Sequence, residues 1–118
     1  MWKAVSHRPG ATRVRVPDTH EIPEGEARGV LVGDPDDGGF VALLCRLDGA
    51  LYALDARCPH EGGMLSAGPM MGKGAVLCPL HHYHFDARTG CELQGLCAPA
   101  RSLEVLEVDG SAEIRLGG

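Results

Sequence analysis

Cys58-Pro59-His60 and, after the seventeen residues 61–77, Cys78-Pro79-Leu80-His81 decide how this chain is read. Each box offers one thiolate and one imidazole, so together they supply two sulfur and two nitrogen ligands of the kind transition metals take. Ligands two positions apart can be aimed at one point from a tight loop, whereas a helix would splay them around its axis. Pro59, Gly62, Gly63 and Pro79 favour the loop reading, because helices host such runs poorly. Two loop tips clasping one metal group is the simplest geometry. Structural zinc also takes a Cys2His2 set and stays open as a rival. Zinc-finger spacing, however, usually puts two Cys in one box and two His in the other; here each box is mixed.

Working outward, the flanks read as strands. The apolar runs 40–47 and 51–54 bracket Asp48-Gly49, and a DG pair between such runs predicts a type I′ hairpin that delivers the chain to the first box. Cys45, inside the first arm, reads as a buried small hydrophobe. Residues 64–71 form a Gly/Pro-broken connector, 75–77 a brief strand into the second box, and 83–86 a strand leaving it, with a loop over 91–99. A second DG pair, Asp109-Gly110, joins 103–108 to 112–116, and the adjacent Val105 and Leu106 break strict alternation, for which a β-bulge is one explanation. Upstream, strands are expected over 11–16 and 28–33, and residues 1–10 read as a loose lead-in in which Trp2 could tuck against the domain. Sustained helical periodicity is absent, so the fold class is all-β, with a single domain over 11–118.

A chain of 118 residues supports one core. Its net charge of −5 argues against nucleic acid, since phosphate binding needs a basic surface. The first ten residues hold no apolar run long enough for a signal peptide, no stretch approaches a membrane span, and no Arg-Arg pair suggests twin-arginine export. The expectation is a cytoplasmic protein with no membrane partner. Cys91 and Cys97 are close in sequence, but that alone does not set the Cα geometry a disulfide needs.

The run Cys58-Pro59-His60-Glu61-Gly62-Gly63-Met64-Leu65-Ser66-Ala67-Gly68, then Cys78-Pro79-Leu80-His81, Phe85-Asp86 and Thr89-Gly90, resembles the Rieske [2Fe–2S] ferredoxins, densely over 39–90 and more thinly outside. The resemblance implies an antiparallel β-sandwich with a two-loop cluster-binding subdomain over about 55–99, and one [2Fe–2S] cluster. It assigns Cys58 and Cys78 to one iron and His60 and His81 to the other. Replacing two thiolates by neutral imidazoles makes the cluster less negative and therefore easier to reduce. His82 and His84 would then be neighbours rather than ligands. His82 stands where the family usually has Gly, which puts the local backbone conformation in question.

Further expectations follow from the resemblance. High-potential relatives brace the loops with a disulfide at the positions of Gly63 and Leu80, so that brace is missing here. They also place hydroxyl donors where this chain has Tyr83 and Phe85; with Phe85 unable to donate, the potential should lie low in the Rieske range, at roughly −150 mV. A proline loop covering the cluster would match Pro99. The cluster imidazoles should couple reduction to proton uptake at high pH. In function the chain resembles a soluble carrier of single electrons, not an enzyme, between a flavin-containing ferredoxin reductase and a terminal oxygenase or other oxidoreductase. A nitrite reductase small subunit, an orphan Rieske protein and a zinc-stabilised interaction module are the alternatives.

Overall fold

The computed structural model describes residues 2–8, 10–34, 36, 38–59, 63–80 and 82–116. Among them lie ten strands: β1 (Lys3–Val5), β2 (Arg13–Val16), β3 (Glu26–Val32), β4 (Phe40–Leu47), β5 (Ala50–Asp55), β6 (Gly68–Pro69), β7 (Ala75–Cys78), β8 (Tyr83–Asp86), β9 (Ser102–Val108) and β10 (Ser111–Arg115), with one turn of 3-10 helix at Thr19–Glu21. The main sheet runs β1-β3-β4-β5-β9-β10-β2, with β6 added to β3, and β7-β8 is a separate hairpin. Every ladder is antiparallel except β1 with β3. The sheet folds back until its ends meet: β1 touches β2, and Lys3 Nζ reaches Asp18 at 3.2 Å. That closure makes the expected all-β sandwich.

Both DG turns form as the sequence predicts. Asp48 and Gly49 take φ of 53° and 78°, and Asp109 and Gly110 take 53° and 80°, the double left-handed signature of type I′. Glu24 secures the first turn by accepting the Asp48 and Gly49 N–H groups at 2.7 and 2.8 Å.

β4 explains why its sequence is apolar without alternation: it is covered on both faces. Ala42 and Leu44 point into the sandwich core with Val14, Val16, Val30, Leu103 and Ile114. Leu43, Cys45 and Leu47 point the other way, into a second core with Cys58, Val76, Cys78 and Phe85. Burying a side chain such as Ile114 stabilises by roughly 1.5–3 kcal/mol, so the first core supports the sheet and the second attaches the β7-β8 hairpin to it. At the turn end of β4, buried Arg46 forks onto Glu107, with Nη2 to Oε2 at 2.8 Å, and donates to the carbonyls of Thr19, Ile22 and Gly49. Thr19 Oγ1 donates to the same carboxylate at 2.7 Å.

Three expectations are corrected. Residues 1–10 are not wholly a loose lead-in, because Lys3–Val5 forms β1, with Lys3, Ala4 and Val5 opposite Val30, Leu31 and Val32; Trp2 does tuck against the sandwich core, as the sequence allowed. The connector 64–71 contributes β6. No bulge interrupts β9: Val105 and Leu106 pair in unbroken register with Ile114 and Glu113, and Leu106 simply faces outward, 64% exposed.

Candidate metal centre

The first box leaves β5 through a side-chain turn in which Asp55 Oδ1 accepts the Arg57 N–H at 2.9 Å. Arg57 and Met64 form a single antiparallel bridge, and the Cys58 N–H donates to the Gly63 carbonyl. The loop is thus pinched at its base. Below the pinch, Leu65 N–H donates to Ala56 at 2.7 Å, and Ser66 N–H donates to Leu77 of β7 at 2.8 Å, which ties the first loop to the second.

The second box is the tip of the β7-β8 hairpin, where Cys78 lies opposite Tyr83 and Val76 opposite Phe85. His82 takes φ 57°. It therefore adopts the left-handed backbone that a Gly would enter freely and a histidine enters at some cost. Phe85 is fully buried beneath the site, a floor with no hydroxyl to donate.

The two tips meet. A Cβ added at Gly63 would fall 2.6 Å from Leu80 Cδ1 and 3.7 Å from Cys78 Sγ, so the two loops approach within side-chain reach of each other, and the exposed end of Leu80 would have to shift to admit a larger residue at 63. Cys58 and Cys78, 1% and 0% exposed, share the second core. Pro59, Pro79, Leu80 and His82 are exposed above them. His60 and His81 lie outside the described residues, as do Glu61 and Gly62. Among the described residues no three metal-ligating side chains converge; the two cysteines form the described half of the expected set.

The segment after β8 borders this centre. Cys97 is half-buried and packs against the core that contains Cys58 and Cys78. Burial, then the nearby Cys58, Glu92 and Cys78, hold its thiol above the ordinary cysteine value. Glu92 is buried at the start of the segment and accepts backbone N–H groups from His84, Gln94 and Leu96. No sequence signature announces this role, since a carboxylate that caps loop amides needs no fixed spacing. Cys45, on β4, faces the same core as Cys58 and Cys78, its thiol pushed up to about 12 by burial. Cys91 is exposed and is not bonded to Cys97.

Two enclosed thiols from two touching loops, with a glycine leaving space beside one sulfur, fit an iron–sulfur group. The comparisons agree. A Rieske [2Fe-2S] domain matches residues 12–106. The ferredoxin component of a naphthalene 1,2-dioxygenase system from Pseudomonas aeruginosa is 40% identical over 80 residues, 68% of this chain and 68% of that one. A 3-phenylpropionate/cinnamic acid dioxygenase ferredoxin subunit from Photorhabdus laumondii subsp. laumondii is also 40% identical over 80 residues, with 68% of each covered. Among solved structures, the ferredoxin of carbazole 1,9a-dioxygenase from Nocardioides aromaticivorans IC177 superposes with a TM-score of 0.72 at 26% identity, over 91% of this chain and 100% of that one. The chain belongs to the Rieske [2Fe–2S] domain family, and its cofactor is one cluster of that type.

Proposed function

We propose that Cys58 and Cys78 hold one iron through their thiolates and His60 and His81 the other through ring nitrogens, and that the protein carries single electrons from a flavin-containing reductase to a terminal ring-hydroxylating oxygenase. The observation that carries this reading is the burial of two thiols from separate loops in one core, beneath tips that are exposed. The relatives' names supply the oxygenase context. When bound, the cluster supplies a one-electron couple.

The chain's own residues do the rest. Leu43, Cys45 and Phe85 wall the thiols off from water on the inner side, and the exposed tip offers a short path to a partner. Phe85 gives no hydrogen bond to the centre, which supports a potential near the bottom of the Rieske range, roughly −150 mV. No helix among the described residues is long and apolar enough to cross a membrane, and the exposed Cys91 thiol suits a reducing compartment such as the cytoplasm.

The test is direct. Oxidised protein mixed anaerobically with a flavoprotein reductase and its reduced nicotinamide should take up one electron per chain and give it up when a ring-hydroxylating oxygenase is added. Protein that is reduced but passes its electron to nitrite reductase subunits and not to any such oxygenase would reassign the acceptor.

A further inference from the structure

Glu92 is a buried carboxylate in a protein whose other acidic side chains mostly face solvent. It is 7% exposed, and each oxygen has a separate task. Oε1 accepts the Gln94 and Leu96 N–H groups at 2.8 and 2.9 Å, which fixes the turn of the segment after β8. Oε2 accepts the His84 N–H at 3.3 Å, which fastens that turn to β8 itself. Backbone bonds run in parallel: Asp86 N–H to Cys91 and Leu93 N–H to His84, both 2.8 Å, with Glu92 bridging Phe85. Residues 91–93 thus lie along β8 as a rudimentary extra strand, and the carboxylate folds 94–96 back so that Cys97 reaches the core of Cys58 and Cys78.

The charge persists where it is placed. The N–H groups of Leu96, Gln94 and His84 and the nearby His84 ring hold this carboxyl below the usual carboxylate range against the opposing effect of burial. It also lies one strand from the cluster hairpin's first arm: Glu92 bridges Phe85 of β8, and Phe85 lies opposite Val76 of β7, the strand that ends in Cys78.

We propose that Glu92 is a positioning residue of the redox centre: its carboxylate clamps residues 91–97 onto β8, seating Cys97 against the core that holds Cys58 and Cys78, and its fixed negative charge, one strand from the hairpin arm that ends in Cys78, holds the reduction potential down. The proposal rests on the cluster reading above. Adding an electron next to a fixed negative charge is disfavoured, and excluding water disfavours the more highly charged reduced state in the same direction.

Glu92→Gln separates the parts. One side-chain oxygen can still accept Gln94 and Leu96, but the new amide presents a donor to the His84 N–H, so the clamp to β8 and the charge are lost together while volume is kept. Loss of the charge and entry of water both act to raise the potential. Glu92→Asp keeps the charge on a shorter arm. In holoprotein with wild-type iron content, E92Q should raise the midpoint by a threefold or larger change in the oxidised-to-reduced ratio, roughly 30 mV at 59 mV per decade for one electron, and hydrogen exchange over 83–97 should quicken. E92D should fall between E92Q and wild type, and it carries the test if E92Q does not load iron. An unmoved or lowered potential in the loaded variant, unchanged exchange, or a larger shift in E92D than in E92Q would overturn the proposal. Wild-type protein devoid of iron would overturn the cluster reading and this proposal together, whereas a loaded wild type with an unmoved E92Q overturns this proposal alone.

Discussion

The end of the molecule around Arg46 and the end around Cys58 and Cys78 are built differently: the first is a network of charge and hydrogen bonds, the second a pair of thiols set in an apolar core. Arg46 is buried, and its guanidinium is met by Glu107, three carbonyls and, through the shared carboxylate, Thr19. The turns there carry Asp-Gly pairs in the backbone states those residues tolerate. At the other end a histidine takes a left-handed φ, a leucine lies 58% exposed on the tip, and two thiols are enclosed in an apolar core. The arrangement is that of a scaffold at one end and a ligand cradle at the other, with the buried Glu92 carboxylate at the cradle's edge.

The sharpest way to break this contrast is to remove a ligand thiol. Cys58→Ser or Cys78→Ser should abolish iron binding and loosen both loops, because metal binding and local folding are linked, while the strand signature in circular dichroism persists. Collapse of the whole sheet would mean the scaffold is not self-sufficient.

At the scaffold end, Arg46→Leu leaves Glu107 partly buried without its cation and should destabilise by about 3 kcal/mol in denaturant melts, with the iron content unchanged. The same pair has a pH signature. Glu107 is held below its ordinary 4.5, first by the Arg46 hydrogen bonds and also by Thr19. A depressed folded-state value means its contribution is whole above about pH 4.5 and is lost as the pH falls below that through the depressed value. Acid unfolding should therefore be shallower in Glu107→Gln than in wild type over that window, and parallel curves would remove Glu107 from the account.

Between the two ends, Gly90 has φ 84°, and a Cβ there would fall 2.2 Å from the Ala100 carbonyl oxygen. Gly90→Ala should destabilise by about 2 kcal/mol and accelerate exchange over 91–100. The smallest effect is expected at the hairpin tip, where His82→Gly relieves the left-handed φ at some loss of chain entropy. A net gain of ~0.5 kcal/mol with full iron content is expected, and loss of iron would make His82 part of the centre.

Much of the scaffold was legible because its signals are local. The DG pairs set both turns, the unbroken apolar run of β4 marks a strand covered on two faces, and 83–86 emerges with the bounds the alternation suggests. What escaped is non-local or very short. β1 is three residues whose reason to exist is an edge of β3 far along the chain, and β6 is two residues, one of them a proline. The adjacent apolar residues Val105 and Leu106 suggested a bulge, but an outward-facing leucine produces the same pattern. In the site, Cys58 and Cys78 share one core, His60 and His81 lie outside the described residues, and a side chain at Gly63 would meet the tip of Leu80 across the two loops.

The central claim is the mixed ligand set, and pulsed electron paramagnetic resonance on anaerobically reduced protein labelled with nitrogen-15 in histidine tests it most directly. The account predicts a paramagnetic iron–sulfur signal coupled to two histidine ring nitrogens, kept in His84→Ala and lost in His60→Ala and His81→Ala. A signal with no histidine coupling, or colourless zinc-containing protein with no signal, would contradict it.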